Sequence, residues 1–144
     1  MMFRGAGLIF LILLLAGCAA LEGPRWAMLG DTSEQAFFLD RQDVQRLDNG
    51  NYRYPVKICR YQEGQLHQQD NSRDTSQVLF MEMDCRDKQW LEAGRGVMDQ
   101  NEKVLFRHLN FAPAPHPVEP GTIHFTAYNY LCGNESIIPQ HNHQ

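Results

Sequence analysis

The chain has 144 residues, with 13 Lys+Arg against 17 Asp+Glu and a formal net charge of −4. That length suits one compact domain, and an acidic balance with no Lys/Arg run excludes a nucleic-acid binder that works by neutralising phosphates. A charged fraction of 21 % with 10 % aromatics excludes wholesale disorder.

Residues 1–17 read as an export signal. Arg4 supplies the positive charge, and Leu8 to Leu15 is unbroken apolar chain. This run is shorter than the roughly 20 residues of a membrane-spanning helix and fits a secretory h-region. It ends in Leu15-Ala16-Gly17-Cys18, which resembles the bacterial lipobox, where the cysteine thiolate takes up a diacylglyceryl group before cleavage. Several acyl chains, palmitate among them, make a stable membrane anchor. With the signal removed, 12 Lys+Arg stand against 17 Asp+Glu, so the exported chain sits at −5. Ala19 after the lipidated cysteine points to the outer membrane of a Gram-negative envelope, facing either outward or the periplasm. Residues 18–25 form the lipidated tether, whose seven residues after Cys18 reach at most about 25 Å.

From Trp26 the chain reads as short strands divided by turns. The expected strands are Trp26–Leu29, Ala36–Asp40, Tyr52–Tyr61, Val78–Cys85, Trp90–Met98 and Lys103–Leu109. Asp48-Asn49-Gly50-Asn51 is a turn suited to positive φ. Pro55 lacks an N–H, which places Tyr52–Tyr61 at a sheet edge or gives it a bulge. Glu63 to Asp74 reads as a mobile loop. In Val78–Cys85, Leu79, Met81, Met83 and Cys85 share a core-facing row while Glu82 and Asp84 face the other way. Successive hairpins favour an antiparallel sheet. Ala112 to Pro117 is a crossover. Ile123, Ala127, Tyr130 and Leu131 then recur at helical spacing behind Thr122 as N-cap, although the segment also holds four β-preferring residues. The fold class is therefore α+β: an antiparallel sheet of about six strands with a C-terminal helix packed on it. The folded domain is 26–133 and the flexible tail 134–144.

Besides Cys18 the exported chain carries Cys59, Cys85 and Cys132, and three pairings are open on paper. A Cys85–Cys132 bond would pin the helix to the sheet. Cys59 is then a semi-buried thiol, a site of intermolecular pairing, or a reactive group.

Trp26, Phe37-Phe38-Leu39-Asp40 with Val44, Glu82-Met83-Asp84-Cys85, Arg86, Trp90-Leu91, Pro120-Gly121-Thr122 and Cys132 together resemble the surface-adhesin protein E family over roughly Trp26 to Gly133. The resemblance implies a small antiparallel sheet, a C-terminal helix held by a disulfide, and an outer-membrane lipoprotein that takes part in cell adhesion by binding host extracellular-matrix proteins. It assigns no matrix-binding residue here. The sequence departs from the family at Ile58-Cys59, where a tryptophan is often found.

Nothing local supports catalysis: Gly-x-Ser-x-Gly, Cys-x-x-Cys and His-Glu-x-x-His are all missing, so the chain reads as a non-enzyme. It needs no cofactor. His141-Asn142-His143, with His116 or His124, could chelate a metal only on ordered elements, and the tail reads as solvated. Gly94-Arg95-Gly96 lacks the strand–turn–helix context of a phosphate loop and reads as a bulge or hinge. Eight aromatics, including Tyr52, Tyr54, Trp90, Phe106 and Phe111, divide between core and an exposed protein-recognition surface. The expected function is a lipid-anchored, non-catalytic envelope protein that binds protein ligands. The alternative is a periplasm-facing accessory lipoprotein of an envelope complex.

Overall fold

The computed structural model describes residues 25–62, 65–67 and 76–133. Nine strands and one helix follow in chain order: β1 (Trp26–Asp31), β2 (Gln35–Asp40), β3 (Gln45–Arg46), β4 (Tyr52–Gln62), β5 (Gln65–His67), β6 (Ser76–Asp84), β7 (Gln89–Met98), β8 (Val104–Leu109), β9 (His116–Pro117) and α1 (Ile123–Gly133). The main sheet runs β1-β2-β4-β6-β7-β8, antiparallel throughout, and curls into a half-barrel. The α+β class and six main strands agree with the sequence reading.

Both faces of the curl are filled. On one, Leu39, Tyr52, Tyr54, Val56, Met81 and Met83 pack with Ala127 and Leu131 of α1. On the other, Trp26, Ala36, Phe38, Cys59, Val78, Phe80 and Met98 form a second cluster. The alternation along β4 therefore separates two interiors. Curling also brings β1 to the β7–β8 turn over this second face, where the Trp26 indole donates to Glu102 at 2.9 Å.

Three local readings need correction. β4 is an inner strand, paired to β2 on one side and β6 on the other. Pro55 is tolerated because it lies in a gap: the β2 ladder stops at Val56 and the β3 ladder starts at Arg53. The gap is created by a 3-10 turn at Arg41–Asp43, capped by the Asp40 carboxylate accepting from Gln42 N–H at 3.0 Å. Within the segment expected as a loop, residues 65–67 form a short strand on β4; the rest of it lies outside the described residues, as do the signal and 134–144. The third correction is at Gly94-Arg95-Gly96, which is regular strand beside a bulge at Ala93, since Met81 faces Glu92 and Phe80 faces Gly94.

α1 begins as the sequence predicts, with Phe125 N–H donating to Thr122 Oγ1 at 3.2 Å. Gly121 before it has φ +79°, a conformation glycine adopts without strain. The buried pair Ala127 and Leu131 lies four residues apart, on one helical face. Cys132 of α1 is bonded to Cys85 at the end of β6, with Cα atoms 5.6 Å apart.

The two cysteines are 47 residues apart, a loop worth about 4 kcal/mol in the chain-entropy model. Leu131 already fixes the same end of the helix, so Cys85→Ser/Cys132→Ser should lose somewhat less, roughly 3 kcal/mol. A urea midpoint equal to that of the oxidised parent would contradict this.

Candidate functional site

β8 carries the largest exposed apolar feature among the described residues. Leu105 is 56 % exposed, Phe106 61 %, Leu109 48 % and Phe111, just beyond the strand, 90 %. Such a concentration on one strand marks an interaction surface more often than chance exposure. Phe106 and His108 point to the helix-side face beside Leu79, Val97 and Arg95, lining a groove of about 210 Å³. A second, open groove of about 380 Å³ runs past Arg95, Leu109 and Phe111.

The same strand has one free edge. β8 pairs with β7 from Gly94 to Met98, and nothing among the described residues pairs with its outer side. The opposite sheet edge is different, because α1 packs against β1. A β-carbon at Gly30 in β1 would touch Ile123 Cγ2 of the helix at 3.3 Å.

Three cations, Arg95, Lys103 and Arg107, stand on or beside β8 together with three carboxylates, Glu92, Asp99 and Glu102. Arg107 lies with its guanidinium carbon 3.9 Å from the Phe80 ring centroid, and neither it nor Lys103 has an ion pair among the described residues. Arg95 is satisfied by Glu92, three residues away. The neighbouring carboxylate of Glu102 is engaged elsewhere. It accepts from Trp26 and from Arg25, and stands 3.9 Å from the fully buried Lys57 ammonium. Arg25 also binds Asp40, at 2.7 Å. This network joins the first described residue to the β7–β8 turn. Burial pushes Lys57 below its ordinary pKa, opposed by Glu102.

A third cluster lies between β7, β9 and α1. The Trp90 ring stacks with His124, at 3.5 Å and 7°, and with His116, at 4.7 Å and 29°. Burial, with a smaller contribution from His116, pushes His124 down to about 4. His124 therefore stays neutral in the fold where the unfolded chain would take a proton, and stability should fall as pH drops from about 6.5 to about 4. With 1.36 kcal/mol per pH unit as the ceiling and a discount for partial exposure, the loss is about 2 kcal/mol. Urea titrations at pH 7 and 4.5 should show it, and His124→Phe, which keeps the stack, should shrink it. An unchanged pH response in that variant would assign the effect to other groups.

The residues singled out in the sequence are distributed as follows. Cys85 and Cys132 are joined. Cys59 is fully buried in the second core cluster, which removes its reading as a reactive thiol. Cys18, His141 and His143 lie outside the described residues, and no metal-binding group of His, Cys, Asp or Glu occurs among those described. Tyr52 and Tyr54 belong to the core, whereas Phe106 and Phe111 are exposed. The Lys57–Glu102 network was not anticipated. Its only sequence signal is Lys57 itself, between Pro55 and Cys59 on the row that begins with Arg53. No protein-family model matches the chain, and no curated protein or solved structure matches it significantly.

Proposed function

We propose that the chain is a lipid-anchored, non-catalytic envelope protein of the surface-adhesin E type that binds a protein ligand through the β8 edge. The observation that carries this reading is the set of exposed apolar side chains on and just after β8, led by Phe106 and Phe111. Aromatic side chains on a rigid strand give large contact area at small entropic cost. Support for the anchor comes from the lipobox at Leu15-Ala16-Gly17-Cys18, and the short tether holds the domain beside its membrane.

Peptide mass mapping tests the anchor. A diacylglyceryl adduct on Cys18 supports it. Cys18 joined by a disulfide to the Cys59 peptide overturns it, because one sulfur cannot hold both bonds. Protease shaving of intact cells tests the adhesive role, with a periplasmic marker as control. Digestion with the marker intact supports an outward-facing adhesin. Protection until the envelope is opened overturns adhesion and leaves the accessory role in the periplasm, which the same short tether equally allows.

A further inference from the structure

We infer that β8 accepts an extended segment of another protein as an added antiparallel strand, and that an acidic residue of that segment faces Arg107. The inference rests on the reading of β8 as the ligand surface and specifies what the ligand looks like. An unpaired strand edge offers backbone donors and acceptors that a partner strand can satisfy. Side chains opposite one another then set the preference. Leu109 and Phe106 select apolar and aromatic partners, and His108 between them is permissive. Arg107, which has a ring but no carboxylate beside it, selects Asp or Glu. Read along the incoming strand, the pattern is apolar, any, acidic, aromatic. Leu105 ends the match, because it is the extra residue where Val97 faces Phe106 and Met98 faces Val104.

Charge complementarity selects this occupant over two others. A second copy pairing antiparallel about the centre of β8 would set Arg107 against Phe106 and bring no carboxylate to the cation, whereas an acidic residue supplies its counter-charge. A lipid surface could receive Phe106 and Phe111, but hydrocarbon leaves the backbone groups of the edge unpaired. An acidic, apolar strand satisfies the backbone, the rings and the cation together. The exported chain as a whole is at −5, so these unpaired cations stand out against an acidic background.

The test uses the exported chain, Cys18 to Gln144, in zwitterionic detergent, with two synthetic nine-residue peptides. One has the centre Val-Thr-Glu-Phe; the other replaces Glu by Lys. Amide hydrogen exchange and NMR shifts are read on β8. The Glu peptide should slow exchange at the β8 amides that point away from β7, and should bind about fivefold more tightly than the Lys peptide, the worth of one exposed charge pair. In Arg107→Glu the order should invert. Equal binding of both peptides, or no protection on β8, overturns the inference. So does protection that appears on raising protein concentration alone, which indicates a second copy. Shifts at Phe106 and Phe111 produced by phosphatidylglycerol added to the detergent micelles and not by peptide would instead overturn the inference in favour of a lipid contact. None of these outcomes depends on Cys18 acylation or on which way the domain faces, so anchor and strand addition fail separately.

Discussion

Gly96→Val should be close to unfolded at 25 °C, losing more than 4 kcal/mol, at the upper end of what overpacking a tight site costs. A β-carbon at position 96 would overlap the carbonyl oxygen of Phe106 and meet Phe80 Cε2 and Val78 Cγ1, each at 3.2 Å. The obstructing atom is backbone of the neighbouring strand, so no side-chain rotation relieves it. β8 must move, and the ladder from Gly94 to Met98 must break with it. Gly94 has the same problem in milder form, with the His108 carbonyl oxygen at 2.7 Å, so Gly94→Ala should lose about 2 kcal/mol. Gly133→Ala, with nothing within 4 Å, is the control and should stay within about 0.5 kcal/mol of the parent. Urea unfolding with an unchanged m-value gives the losses in the alanine variants, Gly96→Ala among them, and far-UV circular dichroism without urea reports Gly96→Val. If Gly96→Ala left the midpoint in place, the close approach of β7 and β8 would be wrong, and with it the orientation of Phe106 and Arg107 on which the binding surface depends.

This also explains how much the sequence could reveal. Period-2 alternation in Tyr52–Tyr61 and Val78–Cys85, and the Thr122 cap before Ile123, are local signals, and the strands and helix followed them. Curvature is not local. Gly94 and Gly96 look like flexibility in the chain, yet in the fold they let β8 lie tightly against β7. The same curl turned the second face of β4 into a core, which buried Lys57, while the turn at Arg41–Asp43 made the place for Pro55 inside the sheet. Exposure of β8 was partly readable: Leu105-Phe106, Leu109 and Phe111 break strict alternation just before a proline crossover. Whether such a strand is covered depends on where α1 docks. It docks on β1 at the far edge, and no pattern in residues 104–109 specifies that.

Glu102→Ala should lose about 4 kcal/mol, because truncating one partner of a buried charge network leaves the other charge uncompensated. The carboxylate accepts from the Trp26 indole at 2.9 Å and from Arg25, and is the counter-charge nearest to Lys57, at 3.9 Å. The Lys57 ammonium has no hydrogen bond among the described residues and rests 4.5 Å from the Trp26 ring centroid. Without Glu102, only the more distant Asp40 still favours its charge, while Arg25 and burial oppose it. Lys57→Met removes the charge that needs compensation and fills similar volume, so alone it should be near neutral. The double variant should then recover at least half of the Glu102→Ala loss, a coupling of about 2 kcal/mol. Direction with pH is fixed as well. A lysine whose folded pKa lies below its unfolded value of 10.5 binds fewer protons folded than unfolded, so stability rises with pH through that window. Glu102→Ala deepens the depression, and its deficit relative to the parent should narrow from pH 7 to pH 10. Strictly additive single and double variants would mean that Lys57 and Glu102 do not share one network. The contact between β1 and the β7–β8 turn would then rest on the Trp26–Glu102 hydrogen bond and on Arg25, and its strength should not respond to the charge on Lys57.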